Sequence, residues 1–157
     1  PTGEEYLERV NRAFERDVTR AQWLHHRREA MTLRPDIVGL AGFAATHGQV
    51  AVLTNNGALI GEHLSDTIAP ELVEVFGDNL FATAHFFERK PEPTVFQRAL
   101  EHRGAAAEET FFVDDIPENV RGAEQIGITG HWFPPGQLAA ELRQAMDAFI
   151  AGRAPRE

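Results

Sequence analysis

The chain has 157 residues, with 24 acidic against 15 basic side chains and a formal net charge of −9, so no basic stripe is available to neutralise phosphates along a nucleic acid. It has no cysteine, which excludes disulfides, thiolate metal sites and a cysteine nucleophile. Neither a signal-peptide pattern nor an apolar run near the ~20 residues that cross a bilayer is read in it, and the balance fits a cytoplasmic, soluble α/β protein with one core and no membrane partner.

Thr2 and Glu5 form a capping box, after which Tyr6, Val10, Phe14 and Val18 recur every four residues, predicting a first helix with one apolar face. Asp17 falls inside that amphipathic stretch. A second helix, from about Thr19 to Met31, carries Trp23, Leu24 and Met31. Pro35 opens a third and Gly48 ends it. Strands near 50–54, 79–84, 110–114 and 129–133 then alternate with helices near 57–67, 93–103, 117–126 and 136–151. Such alternation predicts a parallel sheet covered by helices on both faces. Residues 152–157 read as a tail that frays.

Three segments carry chemistry. Residues 111–120, Phe-Phe-Val-Asp-Asp-Ile-Pro-Glu-Asn-Val, run an apolar strand into adjacent carboxylates. Alone, such a pair reads more readily as a solvated turn after a strand. At the carboxyl end of a buried parallel strand, however, two like charges need a cation, and hard oxygen ligands suit Mg²⁺. Residues 50–56, Val-Ala-Val-Leu-Thr-Asn-Asn, run a second strand into hydroxyl and amide groups before a helix start at Gly57, a place that favours an anion. Residues 88–93, Glu-Arg-Lys-Pro-Glu-Pro, hold Lys90 in a loop, restricted by the following proline, as a point charge for phosphate.

In this order, Thr-Asn after a strand, Lys-Pro before a helix and Asp-Asp after a strand, followed by Asn119-Val120 and Gly122-Ala123, the chain resembles the haloacid dehalogenase-like (HAD) hydrolase superfamily. Within it, the chain is similar to the small phosphatases with a helical cap, such as the N-terminal phosphatase domain of soluble epoxide hydrolases. The resemblance implies a Rossmann-like core over 34–151 beneath a partial N-terminal helical cap over 1–33. It implies a Mg²⁺-dependent phosphohydrolase that acts on a small phosphomonoester through an aspartyl-phosphate. Thr54, Asn55 and Lys90 would serve catalysis, Asp114 or Asp115 would hold the metal, and Asn56 and Trp23 would meet the substrate. Thr54, Lys90 and the Asp pair are expected to converge on one cleft beneath the helices of residues 2–31.

The family's first motif, a strand ending in Asp-x-Asp whose first carboxylate attacks phosphorus, has no counterpart before Thr54. Asp17 lies in the helical stretch and Asp36 follows a proline at a helix start. In the family that strand is central, between those ending at Thr54 and Asp115, so its loss would leave two unpaired edges. Either the segment lies upstream, or another copy supplies it in a homo-oligomer, or the core is rearranged and serves noncatalytic binding or regulation. A 2-haloacid dehalogenase works without metal and has no need of the acidic pair. The seven histidines lack ligand spacing. Trp23, Phe86, Phe87, Trp132 and Phe133 read as packing, with Trp23 having the best claim to a substrate pocket.

Overall fold

The computed structural model describes residues 2–153. By their contacts these divide into two units, one of residues 2–45 and 49–85, the other of 46–48 and 86–153.

The first unit begins with α1 (Gly3–Phe14), closed at its N-terminus by the predicted capping box, in which Thr2 accepts from the Glu5 N–H and Glu5 reaches back to Thr2. Gly3 packs so tightly on Leu59 that a Cβ there would lie 2.9 Å from the Leu59 Cα. The helix stops at Phe14 because Glu15 turns left-handed, with φ 50°. Val18 and Asp17 therefore belong to the connection and not to the predicted helical stretch, and the Asn11 side chain grips both backbone groups of Val18. A second capping box, Thr19 with Gln22, opens α2 (Arg20–Glu29). Met31 falls outside it and is exposed. After α3 (Pro35–Ala45) comes β1 (Val52–Thr54).

The single helix expected over 57–67 is two short ones, α4 (Ala58–Gly61) and α5 (Leu64–Thr67). His63 leaves helical geometry between them, and its ring faces Asp66 at 3.2 Å. Gly61 is wedged against Ala82 and His85, each about 3.0 Å from where a Cβ would stand. Gly61 is also a poor helix former, which weakens a continuous helix here. Next is α6 (Pro70–Phe76), which the sequence reading missed although Pro70 at its first turn and Gly77 after its last mark a helix. The unit ends with β2 (Leu80–Ala82), whose expected continuation to residue 84 is a 3-10 turn. Leu59, Ile60, Leu64, Thr67 and Ala82 form its buried centre.

The second unit contains α7 (Pro93–Arg103), β3 (Phe111–Asp114), α8 (Pro117–Glu124), β4 (Thr129–Trp132) and α9 (Ala139–Arg153). Gly152 and Arg153 still belong to α9, and the rest of the expected tail lies outside the described residues. The core joins Val95 and Phe96 of α7, Val120 and Ala123 of α8, Ile128, and Leu142 and Met146 of α9. Phe96 meets Phe112 edge to face at 5.1 Å.

Both strand pairs are parallel. β1 pairs with β2, Thr54 opposite Ala82, and β3 with β4, Asp114 opposite Trp132. Among the described residues each pair is a two-stranded sheet. Among these residues no helix is long and apolar enough to cross a membrane.

Gly122 on α8 has no space for a side chain. A Cβ would lie 2.0 Å from the Pro91 carbonyl oxygen and 3.2 Å from the Phe96 ring. Gly122→Ala gains ~1 kcal/mol in helix propensity but forces α8 off the 88–92 loop, overpacking that costs about 3 kcal/mol. A lowered urea midpoint is expected, and an unchanged or raised midpoint would show that the loop yields freely.

Candidate active site

The loop before α7 and the end of β3 meet in one ion pair. Lys90 Nζ lies 2.7 Å from Asp114 Oδ2, and both side chains are buried, 8% and 7% exposed. The lysine also stands 5.4 Å from the centre of the Phe112 ring. Asp114 Oδ1 accepts two further bonds, from the Ile116 backbone N–H at 2.9 Å and from Asn119 Nδ2 at 3.0 Å. The first closes a turn of the Asx type that carries the chain from β3 into α8, whose Pro117 is pre-set for the first helical turn. The second uses Asn119, itself 3% exposed. Burial pushes the Asp114 carboxyl up, but Lys90, the Ile116 N–H and Asn119 outweigh it and hold the pKa below the ordinary carboxylate value.

Sequence left open which carboxylate would take a cation, and in the structure the two differ in their surroundings. Both oxygens of Asp114 are engaged within the protein. Asp115 is exposed, and among the described residues only its backbone carbonyl is bound, by the Trp132 indole N–H at 3.0 Å. Among the described residues no group of three or more histidine or acidic side chains could hold a metal. A single free carboxylate nevertheless suits Mg²⁺, which keeps several waters and completes its shell with substrate phosphate.

In the first unit, Thr54 ends β1 and a tight turn follows, with the Asn56 N–H on the Thr54 carbonyl at 2.8 Å. The Asn56 side chain folds back, and its Nδ2 donates to Thr54 Oγ1 at 2.8 Å. Asn55, next to it, is exposed. The turn leads into only four residues of helix, so the expected helix-dipole contribution to anion binding is small here. Trp23 of α2 meets Tyr6 of α1 edge to face at 5.8 Å. Its indole N–H is buried and has no partner among the described residues. One residue that the sequence reading missed also reaches this turn: Arg27 of α2 donates to Asn56 Oδ1 at 3.4 Å. The Arg27-Arg28 pair was its one visible signal. Thr54, Asn55, Asn56 and Trp23 thus belong to the first unit, and Lys90, Asp114 and Asp115 to the second.

Residues 3–127 match the haloacid dehalogenase-like hydrolase family, and the chain belongs to it. Sixty-eight residues are 38% identical to the sesquiterpene phosphatase astK of Aspergillus oryzae, a match over 43% of this chain and 35% of that protein. The chain therefore spans about a third of that relative. Among solved structures it is similar to a HAD family enzyme from Bacteroides thetaiotaomicron in complex with magnesium and inorganic phosphate (TM-score 0.75, 20% identity, 90% of this chain and 75% of that one). It is also similar to a HAD-like family hydrolase from Porphyromonas gingivalis (TM-score 0.74, 19% identity, 93% and 73%). These likenesses show the fold.

Proposed function

We propose that this chain belongs to a Mg²⁺-dependent phosphatase that acts on a small phosphomonoester. The observation that carries the proposal is the division of labour in the acidic pair, Asp114 locked to Lys90 while Asp115 stands free. The phosphatase relative and the magnesium- and phosphate-bound neighbour support it. A metal-independent dehalogenase would have no need of a free carboxylate beside a neutralised one.

Bound Mg²⁺, held by Asp115, would supply positive charge that lets a phosphate dianion approach a carboxylate. The chain's own groups do the rest. The Thr54 hydroxyl and backbone amides around Asn55 donate to phosphoryl oxygens. Lys90 adds charge from a position that its pair with Asp114 keeps fixed. The attacking carboxylate would be the first of the Asp-x-Asp strand that the family carries: its bond to phosphorus forms as the ester P–O bond breaks, the second aspartate protonates the departing alcohol, and water then hydrolyses the aspartyl-phosphate to inorganic phosphate and the free carboxylate. Trp23 and Asn56 belong to the surroundings of the substrate.

Asp115→Asn in the full-length protein is expected to lower Mg²⁺-dependent turnover of p-nitrophenyl phosphate at least ~100-fold, with the circular dichroism spectrum and melting temperature unchanged. Full metal-dependent turnover by the mutant would place the cation elsewhere and sink the assignment.

A further inference from the structure

The Thr54 hydroxyl can serve phosphate only if its hydrogen is not already committed within the protein. Thr54 Oγ1 accepts from Asn56 Nδ2 at 2.8 Å, and it makes no other hydrogen bond among the described residues. A hydroxyl that accepts on one lone pair keeps its single donor for something else. Which way the Asn56 amide faces is therefore decisive. Were it reversed, Oδ1 would face Thr54 and draw the hydroxyl hydrogen onto itself.

What sets the amide is the residue at its other end. Guanidinium has donors and no acceptor, so Arg27 Nη2, 3.4 Å from Asn56, requires Oδ1 on its own side and Nδ2 on the threonine side. Arg27 is in turn placed by its neighbour. Arg28 donates from Nε, at 2.9 Å, and from Nη2 to the Asp66 carbonyl, tying α2 to α5. We infer that Arg27 is a positioning residue that, through Asn56, keeps Thr54 a hydrogen-bond donor toward phosphate. Helix α2 thereby acts on the phosphate site without touching the reacting group.

This inference rests on the phosphatase assignment above, and a double-mutant cycle in the full-length protein separates the two. Thr54→Val is expected to lower kcat/KM for p-nitrophenyl phosphate about 100-fold, as for removal of one preorganised donor. Arg27→Ala is expected to lower kcat roughly 10-fold with KM within about twofold, because the Asn56 amide is then free to reverse, whereas Asn56→Ala, which removes the competing acceptor with the donor, should cost less. The double mutant should be no worse than Asn56→Ala, because both act along one path. Arg27→Lys, which keeps a donor without an acceptor, should recover much of the loss. Wild-type rates in Thr54→Val, or no turnover in the reference protein, would overturn the assignment and this inference with it. An impaired Thr54→Val together with fully additive Asn56 and Arg27 effects, or an Arg27→Ala effect confined to KM, would overturn the relay alone and make Arg27 a direct substrate contact.

Discussion

Replacing Lys90 with methionine will destabilise the protein by about 3–5 kcal/mol, because it leaves the Asp114 carboxylate buried without its counterion. Both side chains are more than nine-tenths covered and 2.7 Å apart, so solvent can offer little screening. Asp114→Asn will cost less than Lys90→Met, since the amide still accepts from the Ile116 N–H and Asn119, although it strands the ammonium. Chemical denaturation at pH 7 measures both. Losses below 1 kcal/mol would mean that the buried charges are relieved by rearrangement.

The same pair fixes the acid limb of stability. Because the folded-state pKa of Asp114 lies below its ordinary value, its contribution is fully present above the unfolded carboxylate pKa of about 3.9. It is lost as the pH falls from there through the lower folded-state value. Asp114→Asn should flatten that part of the profile between pH 5 and pH 2, and the wild type and mutant curves should converge at the acid end.

The second large effect concerns turnover. Residues 1–157 produced alone are expected not to hydrolyse p-nitrophenyl phosphate, whereas a chain extended upstream through an Asp-x-Asp strand is expected to do so in the presence of Mg²⁺. Thr54, Asn55 and Lys90 can bind and polarise phosphate, but none supplies the attacking carboxylate. Asp114 is committed to its three partners. The separate two-stranded sheets make a matching structural demand, because two parallel strands with an open edge are marginal by themselves. The extended chain should therefore also be more soluble and melt higher. Robust metal-dependent turnover by residues 1–157 would show that the nucleophile has been misplaced.

Where chemistry is written into local sequence, it was legible. Pro93 to Arg103 forms the expected helix to the residue, the Thr2–Glu5 capping box is in place, and β3 delivers Asp114 at its end. The family could be read because its motifs are short runs whose order along the chain survives without any knowledge of packing. Helix 57–67 was misjudged. Its apolar spacing suits a continuous helix, but Gly61, a weak helix former packed against Ala82 and His85, is the last residue of α4, and His63 leaves helical geometry.

By sequence alone, then, this protein's family, the order of its four strands and the residue types at its strand ends were determined, since each follows from local pattern and strand-end chemistry. Only the tertiary structure decided that Asp114 is the partner of Lys90 and Asp115 the exposed carboxylate, and that Asn56 is bound by Arg27 at one end and donates to Thr54 at the other. Those assignments depend on hydrogen bonds between residues 24 and 29 positions apart, and identical side chains in adjacent positions can be told apart only by what the fold brings to each.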